Sequence, residues 1–163
     1  MRENSLKGVL LIGLTLLTAM MLLIFPLPRW VVWWRPLWVF LVLLFWMITL
    51  PHRVGIAAAW FVGLWVDLLT GSLLGQHALI LSVIAYVVIK FQTPIRNLPF
   101  WQQTIFVFVI TVVYLALQYW IMALAGMPPD TAKYWLPVLT TTLLWPWMSA
   151  LLRDLQHRFS LPS

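Results

Sequence analysis

Residues 55–75 read GIAAAWFVGLWVDLLTGSLLG, and this stretch decides how the chain folds. Small residues follow a four-residue series along it, namely Gly55, Ala59, Gly63, Gly71 and Gly75, and Asp67 occupies the position between Gly63 and Gly71. Small residues four apart let two membrane helices approach closely. Because four residues advance a helix by about 400°, the series drifts by about 40° per step and cannot face one neighbour. We therefore predict two helices with a break after Thr70, whose glycines pack within the chain or dock a partner's helix.

The composition around this stretch indicates a protein embedded in lipid. Of 163 residues, 63% are hydrophobic, and only ten basic and four acidic residues are present. A soluble domain of this length could not bury so much apolar surface in one core. The net charge of +6 is spread singly over the ends of apolar runs, which argues against nucleic-acid binding. The absence of cysteine excludes disulfide and thiolate chemistry.

Six segments are apolar over, or nearly over, the roughly 17–25 residues that a membrane-spanning helix needs. They are residues 8–25, 36–50, 54–69, 73–89, 101–125 and 134–152. Short stretches rich in proline or glycine separate them. The predicted fold is therefore an all-α polytopic bundle, with residues 1–163 as one integral membrane domain. Pro146, inside the sixth segment, predicts a kink there.

The basic residues predict that both termini face the cytoplasm. With the N-terminus inside, the inner side carries seven basic residues: Arg2, Lys7, Arg53, Lys90, Arg96, Arg153 and Arg158. The outer side then carries three: Arg29, Arg35 and Lys133. Lys and Arg concentrate on the cytoplasmic side of membrane proteins, and an even number of helices returns the chain to its starting side.

Asp67 is the acidic residue inside a predicted span, near the outer end of the third helix. A carboxylate in a membrane is costly and needs a partner. The second helix begins at the same outer face with Arg35, so we predict an Arg35–Asp67 pair, with Arg29, Gln76 or His77 as substitutes. Asp67 would then be a structural clamp or a cap of free N–H groups at the turn. A coupling site for protons or a ligand, and direct partner contact, remain open alternatives.

The fifth predicted helix carries a weakly polar face at seven-residue spacing: Thr104, Thr111, Gln118 and Ala125. Such faces usually point into the bundle and hydrogen-bond to a neighbouring helix. Thr140–Thr142 and Ser149 on the sixth helix are possible partners. The alternative is a polar cavity for a small molecule or lipid headgroup, with Gln118 in its wall.

The sequence offers little for catalysis. Its three histidines, His52, His77 and His157, do not share a helix face at the spacing that metal ligands need. The glycines at 71 and 75 are not followed by the lysine of a phosphate-binding loop. We therefore predict no catalytic, cofactor or metal site. The candidate structural or partner-binding residues are Arg35, Gly63, Asp67, Gly71, Gly75 and Gln118.

Several motifs together carry a resemblance to a known family. They are RPLW at 35–38, LPHRV at 50–54, DLLTGSLLG at 67–75, IAY at 84–86, RNL at 96–98, WQQ at 101–103 and LWPW at 144–147. In this order and spacing, from about residue 8 to 160, the chain resembles the rod shape-determining protein MreD family of rod-shaped Gram-negative bacteria. That family is also distantly similar to the six-helix substrate-binding subunits of energy-coupling-factor vitamin transporters.

The resemblance implies a non-enzymatic, multi-pass subunit of the cell-elongation machinery in the inner membrane. It implies contact with the transmembrane helix of MreC, support of lateral peptidoglycan synthesis, and work alongside MreB, RodZ, RodA and its penicillin-binding transpeptidase. An alternative is a solute- or lipid-binding, transport-like subunit, which the polar face and Asp67 would suit. An intramembrane enzyme would need an acid/base pair in a cavity, and Asp67 lacks a clear second member.

Overall fold

Each of the six apolar segments forms an α-helix in the computed structural model, which describes residues 2–130 and 132–159, with side chains from residue 5 onward. The helices are α1 (Arg2–Ile24), α2 (Trp38–Thr49), α3 (Ile56–Thr70), α4 (Gln76–Lys90), α5 (Gln92–Arg96), α6 (Phe100–Leu124) and α7 (Leu136–Arg158). Two 3₁₀ turns, Val32–Trp34 and Lys133–Trp135, precede α2 and α7. The short α5 is an addition to the predicted six, and the predicted all-α bundle is confirmed.

Helix α2 forms the centre of the bundle. Every residue from Val39 to Ile48 is buried, and α1, α4, α5 and α7 all contact it. A helix that is apolar on all sides is expected in such an interior position. The indole Nε1 of Trp46 donates to the Thr15 hydroxyl at 2.9 Å and so ties α2 to α1.

Helices α3 and α4 form the most closely packed pair of the bundle. Gly63 of α3 lies directly against the α4 backbone, where an added Cβ would stand 2.5 Å from Ala78 N and 2.7 Å from His77 C. No side chain larger than hydrogen fits at this distance without moving α4. Of the two interpretations of the glycine series, packing within the chain is the one that the structure shows at Gly63.

The helices differ in length. Within the part of the chain that the structure describes, four helical stretches are long and apolar enough to cross a membrane: Ser5–Ile24, Val32–Thr49, Phe100–Leu124 and Lys133–Arg158. Helices α3 and α4 are apolar but have only 15 residues each. At about 1.5 Å per residue they reach roughly 22 Å, less than the roughly 30 Å hydrocarbon core of a bilayer.

Hydrogen bonds between distant residues define the two ends of the bundle. At one end, which we call the terminal end, Arg53 donates to the Ser5 carbonyl at 3.0 Å. At the other, the distal end, Leu37 N–H donates to the Thr141 hydroxyl at 3.1 Å. Successive long helices run alternately between these ends, so the turn from α3 to α4 lies at the distal end, which corresponds to the predicted outer side.

The polar face of α6 behaves differently from the prediction. Thr111 is buried, as expected for a face that points inward, but its hydroxyl donates to the Val107 carbonyl of its own helix at 2.6 Å. Thr104 bonds in the same way to Phe100. The predicted hydrogen bonds from these threonines to α7 are wrong, because the carbonyl four residues back is the nearer acceptor.

Helix α7 is continuous through Pro146.

Candidate functional site

The carboxylate of Asp67 lies at the distal end and is almost fully buried, with 1% of the residue exposed. Its oxygens accept hydrogen bonds from the Ser72 hydroxyl at 2.8 Å and from the backbone N–H groups of Gly75 and His77 at 2.9 Å each. His77 Nδ1 lies 2.7 Å from Oδ1. The Ala78 N–H is at the limit, at 3.5 Å. The carboxylate is thus surrounded by donors from the turn and from the first turn of α4.

Two glycines make this arrangement possible. Gly71 ends α3 with a φ of +64°, and Gly75 precedes α4 with a φ of +93°, both in the left-handed region that favours glycine. The resulting tight turn brings the first N–H groups of α4 back to Asp67. These groups have no partner inside their own helix, and Gly75 has no side chain to cap them. Asp67 therefore caps α4 from the preceding helix, where the positive end of the helix dipole favours a carboxylate.

The predicted Arg35–Asp67 pair is wrong. The Arg35 guanidinium instead donates to the Leu23 carbonyl at 2.6 Å and to the Phe25 carbonyl, at the end of α1. Those carbonyls lack intrahelical donors and attract a cation. Asp67 faces α4 because α3 packs mainly against α4. Of the substitutes considered, His77 is the one that contacts the carboxylate.

Ser72, His77 and Asp67 are the residue types of a nucleophilic triad, but their geometry is that of a cap. The Ser72 hydroxyl and His77 Nδ1 both approach the same oxygen, Asp67 Oδ1, and lie 3.3 Å from each other. In a triad the serine lies at Nε2, on the far side of the imidazole from the carboxylate. Among the side chains that the structure describes, no three histidine or acidic residues converge as metal ligands would.

A cavity of about 460 Å³ opens beside this cluster. Its wall is mostly apolar, with Trp38, Phe40 and Leu81 among the lining residues. Six polar side chains also line it: Thr70, Ser72, Gln76, His77, Tyr114 and Gln118. The loops and helix ends that close it belong to the distal end of the bundle. Such a cavity, apolar with a few convergent polar groups, is the usual form of a small-molecule site.

Gln76 is the residue of this cavity that stands out. The residue is 5% exposed, and its amide Nε2 is buried without a hydrogen-bond partner in the described part of the chain. Leaving a buried donor unpaired is costly, so such groups call for an explanation. From the sequence, Gln76 is expected only as a substitute partner of Asp67. The polar pair Gln76-His77 at the start of an otherwise apolar helix was the signal for this position.

The structure gathers most of the predicted site residues but not all of them. Asp67, Gly71, Gly75 and Gln118 lie at or beside the cavity, and Gly71 and Gln118 line it. Arg35 caps α1, and Gly63 is covered by α4. Ser72, which bonds Asp67, was missed. Its place in the turn follows from the φ values of the flanking glycines, which the sequence does not display.

These observations define a small all-helical membrane protein, in which a buried carboxylate holds a helix turn beside a partly apolar cavity. The family profile described as "rod shape-determining protein MreD" matches residues 3–155. The chain belongs to this family, as the motifs suggested, and membership supports a role in the machinery that determines cell shape.

A similar protein of known family agrees with the profile. The chain is 34% identical over 135 residues to the rod shape-determining protein MreD of Haemophilus influenzae strain Rd (ATCC 51907, DSM 11121, KW20), an alignment that covers 78% of each protein. No solved structure matches the chain significantly. The similarity to energy-coupling-factor transporter subunits therefore stays a prediction.

Proposed function

We propose that this protein is a multi-pass subunit of the bacterial inner membrane that binds MreC and acts without catalysis in the cell-elongation machinery. In this role it supports lateral peptidoglycan synthesis and cell shape, with both termini in the cytoplasm. Family membership over residues 3–155 supports the cellular role. The excess of basic residues at the terminal end supports the orientation.

An unpartnered stripe on α1 is the observation that carries the proposed contact with MreC. Five large apolar side chains, each more than half exposed, follow one another at spacings of four and three residues: Leu10, Leu14, Leu17, Met21 and Ile24. This average of about 3.5 residues is the repeat with which two helices pack side chains into each other's surface. It suits a single transmembrane helix, the segment by which MreC would be reached.

Other surfaces of the bundle are less suited to that contact. In the membrane-spanning window of α1 only 17% of residues are buried, less than in the other three long spans. Gly63, which could have received a partner's helix, is covered by α4. The connection at residues 25–37 is short and contains a 3₁₀ turn. Contact through α1 uses a surface that intramolecular packing leaves free, and MreB, RodZ, RodA and its transpeptidase would be reached indirectly.

Co-purification followed by cross-linking tests this proposal. The chain contains no cysteine, so single cysteines can be introduced without background. Leu14→Cys and Leu17→Cys on α1 would be compared with Leu143→Cys on α7, an equally lipid-facing position. Each variant would be co-expressed with MreC that carries one cysteine in its transmembrane helix.

We expect MreC to co-purify in a fixed ratio and to cross-link through the α1 positions but not through Leu143. Stronger cross-linking through Leu143→Cys would move the contact away from α1. Failure of MreC to co-purify with the unmodified protein in mild detergent would refute the scaffold function.

A second candidate function is that of a solute- or lipid-binding, transport-like subunit. The cavity of about 460 Å³ favours it, because a scaffold that acts through its lipid-facing surface needs no such space. A small molecule or lipid retained at a fixed ratio after purification, with no protein partner, would support this function over the first.

A further inference from the structure

We propose that the cavity at the distal end binds an uncharged amphiphile, whose hydroxyl or amide group bonds to Gln76 and His77. This inference does not rest on MreC binding, because the cavity and the α1 stripe are different surfaces. It deepens the second candidate function by naming the class of ligand that the cavity would hold. Three observations support it: the unpartnered amide of Gln76, the mixture of polar and apolar side chains in the lining, and the lack of charged side chains among the described lining residues.

Gln76 supplies the donor. Its Nε2 is buried, lacks a partner among the described residues, and belongs to a side chain that lines the cavity. The neighbouring polar groups do not satisfy it: Ser72 and His77 both bond to Asp67 instead. A rotation of the side-chain amide that turns Nε2 into the cavity would let an acceptor on a bound molecule satisfy it.

His77 supplies the matching acceptor. Its Nδ1 lies 2.7 Å from the Asp67 carboxylate, which holds the proton on that nitrogen. In the neutral imidazole Nε2 is then an acceptor, and it makes no hydrogen bond within the described chain. A donor from Gln76 and an acceptor from His77 on one cavity wall fit a hydroxyl or an amide, each of which both donates and accepts.

The charges around the cavity exclude a strongly charged ligand. No lysine, arginine, aspartate or glutamate is among the described residues that line it. Asp67 lies behind the wall, where it would repel an anion. Its oxygens are already occupied by donors from the turn and from α4, so it offers little to a cation. A buried charge without a partner is unfavourable, and a neutral head is the better fit.

The rest of the lining fits an apolar chain. Trp38, Phe40, Leu73 and Met122 line the remaining wall, and the volume of about 460 Å³ is in the range of small-molecule sites. The cavity is only partly enclosed, so a chain longer than the cavity can extend out of it. A lipid with a hydroxyl-bearing head and a free polar solute share the chemistry that Gln76 and His77 recognise.

Native mass spectrometry of the purified full-length protein tests this proposal. The probes are four compounds, of which three are single-chain amphiphiles: monoolein, which is neutral, lysophosphatidylglycerol, which is anionic, and an alkyltrimethylammonium, which is cationic. The fourth, free glycerol, is offered in competition with monoolein. The variant is Gln76→Leu. The matched control is Gln102→Leu, which replaces a half-buried glutamine near the start of α6, at the terminal end of the bundle.

We expect monoolein to form a saturable one-to-one adduct that Gln76→Leu weakens by about tenfold, as loss of one buried hydrogen bond would. Gln102→Leu should leave the adduct unchanged. Gln76→Leu should not lower the unfolding temperature of the empty protein, because the amide has no partner to lose. That readout separates a ligand-binding residue from a structural one.

The outcomes are distinct. If glycerol displaces monoolein, the natural ligand is a free polar solute. If monoolein stays bound in the presence of glycerol, the natural ligand is a lipid. Equal binding of the three amphiphiles, or a monoolein adduct that is insensitive to Gln76→Leu, would overturn the proposal. Neither result depends on whether MreC binds.

Discussion

Removal of the Asp67 carboxylate is the perturbation whose cost follows most directly from the structure. Asp67→Leu leaves two N–H groups without an acceptor, that of His77, which is buried, and that of Gly75, which is partly buried. A buried donor without an acceptor costs about 1–3 kcal/mol and a partly buried one costs less, so we expect a loss of about 2–4 kcal/mol in the free energy of unfolding. Asp67→Asn keeps one carbonyl oxygen, and its loss should be about half as large.

The assay is equilibrium unfolding of the full-length protein in a mild detergent, followed by circular dichroism. The control is Asp154→Asn, because Asp154 pairs with Arg158 at 2.8 Å on an exposed surface of α7. Exposed ion pairs contribute little, so this variant should unfold like the unmodified protein.

The relative stabilities of the two Asp67 variants show whether the carboxylate acts as a cap. If Asp67→Leu unfolds at the same denaturant concentration as Asp154→Asn, the carboxylate does not hold the turn and the capping argument fails. If Asp67→Asn lowers the free energy of unfolding as much as Asp67→Leu does, the negative charge of Asp67, rather than its number of acceptor oxygens, stabilises the turn.

Three further changes can be measured in the same assay. Gly63→Ala places a Cβ against the α4 backbone and should cost about 1–3 kcal/mol, whereas Gly13→Ala, where the space is open, should be neutral or stabilising; equal effects would refute the close approach. Arg35→Gln removes the bonds to two carbonyls at the end of α1 and should lower the free energy of unfolding by about 1–3 kcal/mol. Arg29→Gln, at an exposed position, should leave that free energy unchanged. A larger loss for Arg29→Gln than for Arg35→Gln would contradict the capping role of Arg35. Gly71→Ala should cost about 1–2 kcal/mol for its left-handed φ, and Gly71→Asn less, since asparagine tolerates that conformation; equal costs would mean that the φ is not the cause.

The helices could be predicted from the sequence, because apolar runs of sufficient length have few alternatives to a membrane helix. Their ends could not. Helix α1 begins at Arg2 rather than near residue 8, since helix-favouring residues such as Glu3 and Lys7 extend it beyond the apolar run. The five-residue α5 escaped prediction because it is too short to show a period.

The pairing of charges shows why the site was harder to predict than the fold. Arg35 and Asp67 were expected to meet because each needed an opposite charge. Both are instead satisfied by helix ends, whose free backbone groups carry partial charges of the required sign: carbonyls for Arg35 and N–H groups for Asp67. Helix ends do not appear as charges in a sequence, so the side chains alone suggested the wrong partner.

The cavity was harder to predict from the sequence than the helices were, because it depends on how the helices are arranged in space. Gln118 was considered for the wall of a polar cavity, and it does line one. The role of Gln76 depends on the positive φ of Gly75, which sets the direction in which α4 starts. Gln76 and His77, which are adjacent in sequence, both line the cavity, but only His77 bonds to Asp67.

The central position of α2 has a consequence for biogenesis. During synthesis α2 leaves the ribosome before α4, α5 and α7, which later surround it. Lipid tails are as apolar as its own side chains, so α2 can wait in the bilayer at little cost until those helices arrive. Insertion and closure of the bundle are therefore separate events, and closure is complete only when α7 has been made. A ribosome that stalls before α7 would release a chain that is inserted but unfinished, with its centre open to the membrane's proteases.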